Sequence, residues 1–210
     1  MEFLAKAKER LIMKKNLGKL NIQQQSGNEP MSNQGKVLDT KLIDFWRWSF
    51  SDLAMNKIRG AFAEFIVHTA LGLPSNQVRV DWDDYDLEME NGLRIEVKSS
   101  SYIQSWEQKK ESDIKFDIKP TKGYEGSKRS DTSKRQADVY VFCLLKHKDQ
   151  NTLNPLKMEQ WEFYVVPTKT LNEKFPTQKK LSLKPLRTIA TPIGYVALKE
   201  HILAIKKAEK

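Results

Sequence analysis

The segment YDLEMENGLRIEVKSS, residues 85–100, places Asn91-Gly92 between two alternating runs. A hairpin there admits few registers. A two-residue loop would pair Glu90 with Leu93, Glu88 with Ile95 and Asp86 with Val97, mixing carboxylates and aliphatics on both faces. A three-residue loop, Glu90-Asn91-Gly92 with Gly92 left-handed, pairs Met89 with Leu93, Leu87 with Ile95 and Asp86 with Glu96. Leu87, Met89, Leu93, Ile95 and Val97 then share one face, and Asp86, Glu88, Arg94, Glu96 and Lys98 share the other. A slip of one residue turns every side chain over, so this segregation selects the three-residue loop.

The selected register breaks a local rule. Like charges directly opposed on neighbouring strands are destabilising. Glu88 facing Arg94 obeys that rule, whereas Asp86 facing Glu96 does not. Departures of this kind concentrate where function requires them. Two converging carboxylates suit a hard divalent cation such as Mg²⁺, which takes one or two such groups together with waters and phosphate oxygens. Lys98, two residues beyond Glu96 on the same face, is placed to hold a water or to offset charge on a phosphate. A solvated face in which Lys98 balances the acids accounts for the same residues, and D…E-x-K is a short motif.

With Glu64 in RGAFAEFIVH upstream, the pattern resembles the PD-(D/E)xK, or restriction-endonuclease-like, nucleases. The resemblance covers roughly residues 50–170. It implies that Asp86 and Glu96 bind Mg²⁺, with Mn²⁺ as a substitute, that Lys98 assists catalysis, and that Glu64 completes the acidic cluster. Gln104 matches a glutamine found after E-x-K in some members. Asp84, with the parity of Asp86, is a rival or additional ligand. Tyr85 stands where the family usually has proline, and no helix is evident in KHKDQNTLNPLKMEQ, between the third and fourth core strands, where the family has one. The implied activity is metal-dependent endonucleolytic hydrolysis of DNA. A non-cleaving DNA-binding protein of the same fold and an interaction module with an incidental charged hairpin are the alternatives. Cutting both strands of a duplex favours a homodimer, since two-fold partners present one site to each strand.

The rest of the chain is consistent with an α/β fold: a central mixed β-sheet flanked by helices. ADVYVFCLL (137–145) is an almost continuous apolar run, expected of a strand covered on both faces. WEFYVVP (161–167) is a second, and TKTLNEKF follows as a short helix capped by Thr168. SDLAMNKIRGAFAEFIVHTALGLP reads as one helix capped by Ser51 or Asp52, with Leu53, Ile58, Phe62, Phe65 and Ile66 on its apolar face and Gly72 ending it. Gly60 and Ala61 would allow that helix close to the sheet. IGYVALKEHILAIKKAEK closes the chain as a helix. Residues 1–36 form a basic N-terminal helix, with Leu4, Leu11 and Ile12 on one face, and a Gln/Asn/Ser-rich linker; residues 37–210 form the nuclease-like domain.

The net charge of +9 is distributed as +4 over residues 1–36, +7 over 169–210 and −2 between them. Basic ends around an acidic centre suit a polyanion gripped around a metal site. Lys128, Arg129 and Arg135, with Trp106 and Tyr124, are candidate DNA contacts. No apolar run approaches the roughly 18 residues of a membrane span, and no signal-peptide pattern is present, so a cytoplasmic protein is expected. Cys143, the single cysteine, reads as a small core residue.

Overall fold

The computed structural model describes Gly18 and residues 20–76, 78–80, 84–125 and 128–208. The segment read above as a basic N-terminal helix lies outside the described residues. A β-ribbon, β1 (Pro30–Asn33) with β2 (Lys36–Lys41), leads into α1 (Leu42–Phe50). The expected linker therefore contributes a strand, and the boundary drawn at residue 36 falls inside the ribbon.

The long helix predicted from Ser51 begins later. The chain breaks at residues 51–55, where the Asp52 carboxylate accepts hydrogen bonds from the backbone N–H groups of Ala54 and Met55. Helix α2 then runs Asn56–Leu71 with Met55 at its cap, and ends on Gly72 in the left-handed conformation. Its buried face is Ile58, Arg59, Ala63, Ile66, Val67 and Leu71. Phe65 is exposed, and the small residue that lets the helix lie on the sheet is Ala63 rather than Gly60, which has open space around it.

The central sheet has the order β3 (Leu87–Glu88), β4 (Arg94–Ser101), β8 (Val139–Leu145), β9 (Trp161–Pro167). The β4–β8 pair is parallel and the two outer pairs are antiparallel, so the sheet is mixed as expected. Asp138 pins the parallel register: its carboxylate accepts from Arg94 N–H and its own N–H donates to Arg94 carbonyl oxygen, both at 2.9 Å. Because β8 and β9 are antiparallel, no crossover helix is needed between them. KHKDQNTLNPLKMEQ holds only a 3₁₀ turn at Met158–Gln160.

Every residue of β8 is buried, since both faces of the sheet are covered. On one face Ile95, Val97, Val139, Val141, Cys143 and Phe163 pack with α2 and with Leu198 and Ile202 of α5 (Leu198–Ala208). On the other, Tyr140, Phe142, Leu144 and Tyr164 meet α3 (Thr168–Lys174), α4 (Leu183–Ile189) and a small antiparallel pair, β5 (Lys115–Asp117) with β10 (Lys180–Ser182). Pro167 caps α3. Thr168 is instead its first residue, and its hydroxyl donates to Ala137 carbonyl oxygen at 2.6 Å. A short ribbon, β6 (Tyr124–Glu125) with β7 (Lys128–Arg129), lies in the basic loop. No helix among the described residues is long and apolar enough to cross a membrane.

The hairpin has the selected register. Leu87 opposes Ile95, Glu88 opposes Arg94, Met89 N–H donates to Leu93 carbonyl oxygen, and Gly92 has φ +75°. A side chain at a left-handed position meets its own backbone, at a cost of about 1–2 kcal/mol. Gly92→Ala should therefore lower the unfolding free energy by about 1 kcal/mol in urea titration, although no neighbouring atom lies in the way.

Candidate active site

Asp86 sits where β3 begins, beside the middle of β4. Its backbone N–H donates to Ile95 carbonyl oxygen at 3.1 Å, and its carboxylate accepts from Val97 N–H at 2.6 Å. Glu96 and Lys98 alternate with the buried Ile95 and Val97, so both project from the opposite face, paired in register with Tyr140 and Phe142 of β8. The Lys98 ammonium donates to the Glu96 carboxylate. Glu64, from the flank of α2, receives two hydrogen bonds from Arg79, one of them 2.7 Å from Nη2 to Oε1. Both Glu64 and Arg79 act electrostatically on their neighbours, Glu64 on Asp86 and Asp86 on Arg79. The hairpin and one helix thus bring four sequence-predicted residues together: Asp86, Glu96, Lys98 and Glu64.

Burial, followed by the charges of Glu96 and Glu64, raises Asp86 to about 7 against the opposing effects of Val97 N–H and Lys98. Burial works to lower Lys98, but Glu96, Asp86 and Asp117 outweigh it and hold the group above its ordinary value. Lys98 is an ammonium at neutral pH, suited to charge stabilisation and not to accepting a proton. Burial and the surrounding acids push the Tyr140 hydroxyl up, so it stays protonated.

Three participants were not singled out in the sequence. Arg79 lies in an irregular stretch where no periodicity marks it. Asp117 flanks the buried Phe116 on β5 and reaches Lys98 only because β5 is laid across that sheet face. Tyr140 reads as one more apolar strand residue until its register with Glu96 is known.

Other candidates go elsewhere. Gln104 is buried, accepting from Arg59 Nη1 at 3.0 Å and donating to Ser101 carbonyl oxygen at 2.9 Å. It belongs to a polar network with Arg59, which also donates to Ala54 carbonyl oxygen and Ser99. The Asp84 carboxylate lies against Gly123, so close that a Cβ on Gly123 would be 2.8 Å from Oδ2. Arg135 is a correction. It is only 6% exposed and donates to Ile118 and Phe175 carbonyl oxygens, both at 2.8 Å, and to Asn172 Oδ1 at 2.6 Å. It ties the β5 region to α3 and is not presented to solvent. Lys128 and Arg129 lie on β7, and their side chains are outside the described residues, as are Asp81 and Asp83. Cys143 is fully buried with its thiol pushed up by burial, an unreactive core residue.

Among the described residues no three His, Cys, Asp or Glu side chains converge as a ready metal cluster. The pair whose chemistry suits a hard cation is Asp86 with Glu96: two oxygen donors, of which Asp86 is resisted in ionising by its neighbours.

Two measurements follow from this geometry. A carboxyl raised in the folded state binds more protons there than in the unfolded chain. Stability through Asp86 is therefore full below the unfolded value near 4 and falls as pH rises toward about 7. Without divalent cations, Asp86→Asn should melt several degrees above the parent at pH 8 and level with it at pH 4. Arg135→Met should lose about 2–4 kcal/mol in chemical denaturation, because buried carbonyls lose their donors, while leaving nucleic-acid affinity of the folded protein unchanged.

The chain matches the family described as bacteriophage T4 endonuclease IV over residues 7–183. No curated protein matches it. The matched span contains the hairpin, α2, the whole central sheet and all four converging residues. On that match the chain belongs to the bacteriophage T4 endonuclease IV family, a family of nucleases.

Proposed function

We propose that this protein is a divalent-cation-dependent endonuclease that hydrolyses DNA phosphodiesters, with a site of the PD-(D/E)xK kind. The observation that carries this is the convergence of Asp86, Glu96 and Lys98 on one side of the sheet, with Asp86 raised by burial and then by the charges of Glu96 and Glu64. Family membership supports the endonuclease part independently.

Asp86 and Glu96 would hold Mg²⁺ or Mn²⁺. When bound, such an ion supplies Lewis-acid polarisation of a phosphate oxygen and a water acidic enough to attack at neutral pH. The chain's own groups do the rest. Val97 N–H fixes the Asp86 carboxylate, so its donor geometry is set before any ligand arrives. Lys98, kept cationic by the acids around it, stabilises negative charge developing on the phosphoryl oxygens and orients the attacking water. Glu96 holds Lys98 in place, and the charge of Asp117 adds to the field that keeps it cationic. Glu64 acts through its two-point grip on Arg79, which puts a guanidinium at the rim of the acidic pocket, where a phosphate would enter.

The experiment is cleavage of supercoiled plasmid and of single-stranded circles with Mg²⁺ or Mn²⁺. The parent should nick or cut at least one of them, EDTA should abolish the reaction, and Lys98→Ala should be slower by roughly 10²–10³-fold. Equal cleavage by parent and Lys98→Ala would remove this site from the reaction. DNA binding without cleavage by the parent would leave the non-cleaving alternative.

A further inference from the structure

Residues 26–50 form an arm with an unusual balance of surfaces. Its inner side is well made. Gly27, left-handed at φ +89°, lies under α1 so closely that a Cβ there would come 2.9 Å from Trp46 Cζ3. Leu42 N–H donates to Glu29 carbonyl oxygen and Ile43 N–H to Gly27 carbonyl oxygen, both at 2.9 Å. The Glu29 carboxylate accepts from Ser26 and Gly27 N–H groups and fixes the turn.

The outer side is bare. No residue of β1, β2 or α1 is buried. Phe45 touches both Trp48 and Phe50, with ring centroids 6.4 Å and 5.9 Å away, and Trp48 is 84% exposed. Met31, Val37 and Leu38 of the ribbon are exposed as well. A lone two-stranded ribbon is marginal in water, and apolar surface of this kind marks a site of association.

We propose that the arm is a self-association surface whose occupant is the same arm of a second copy of the chain, related by a two-fold axis. Two observations select that occupant. The first is area. Val37 and Leu38 point to opposite sides of the ribbon, so one face holds at most five of the six residues; at about 150–250 Å² for a fully exposed large aromatic side chain they offer on the order of 500 Å² per copy. Doubled, that reaches the roughly 1,000 Å² that a specific interface should clear.

The second is charge. Residues 26–50 hold Lys36, Lys41 and Arg47 against Glu29, Asp39 and Asp44, a net charge of zero on a chain of +9. Two copies repel each other over most of their surface, but their arms can meet without that penalty. The same arithmetic makes the arm a poor surface for a polyanion despite its aromatic rings. The contact is isologous, as a two-fold requires, and sets one hairpin site on each side of the axis.

The test is sedimentation of the full chain in EDTA without nucleic acid, so its outcome is independent of the nuclease reading. Between about 1 and 100 µM, the 24.4 kDa chain should interconvert with a species of twice that mass, with a dissociation constant on the order of 10 µM. Phe45→Ser combined with Trp48→Ser should weaken association at least about 30-fold. Asp39→Lys removes no apolar contact and should weaken it at low salt, with recovery in high salt as the added charge is screened. A monomer at every concentration overturns the proposal, whether the face is then found covered by residues 1–17, by nucleic acid or by another protein. A dimer undiminished in both variants overturns it equally.

Discussion

The hairpin register, set by a three-residue turn with Gly92 left-handed, opposes Leu87 to Ile95 and Glu88 to Arg94 and brings Asp86 onto Ile95 and Val97 of the neighbouring strand. The rest of the site depends on that register. It sets Ile95 and Val97 into the core beneath α2, and in doing so turns Glu96 and Lys98 to the opposite face. A change of one residue in turn length would mix carboxylates and aliphatics on both faces. Fold stability and site chemistry are therefore one constraint, enforced by the burial of Leu93, Ile95 and Val97, with Leu87 and Met89 packed against them, on a single side.

Parallel pairing of β4 with β8 adds what the hairpin lacks. It puts Tyr140 beside Glu96 and Phe142 beside Lys98. Low exposure is what gives the charges their effect, because Asp86, Glu64 and Glu96 would interact weakly in water. The protein holds Lys98 and Arg79 among these acids, yet Asp86 still resists ionisation. Burial is the first reason for this, and the charges of Glu96 and Glu64 add to it.

Arg135 and Arg59 show how cations in a basic protein divide between surface and interior. Both looked available for phosphate contact or went unnoticed in the sequence. Both are almost completely buried, with guanidinium groups donating to backbone carbonyls of irregular segments. These segments, 51–55 around Arg59 and 118–135 with 172–178 around Arg135, have few regular backbone partners. A five-donor side chain satisfies several of their acceptors at once.

Local periodicity was enough to determine the hairpin register, the fully buried β8, the strand β9 and the acidic pair with its lysine, because alternation and turn chemistry act over a few residues. It was also enough to place Glu64 on the right helix. Caps and breaks were harder: Ser51 and Thr168 are good capping residues, but an irregular turn at 51–55 and the Thr168 hydrogen bond to Ala137 decided otherwise. What the sequence left undetermined was every contact made across large separations. The pairing of β4 with β8, the antiparallel return of β9 without a helix, the arrival of Asp117 over Lys98, the grip of Arg79 on Glu64 and the loss of Arg135 to the interior all come from segments distant along the chain. Tertiary packing alone decides these, since burial and hydrogen-bond satisfaction are shared between elements that carry no mark of one another in their own residues.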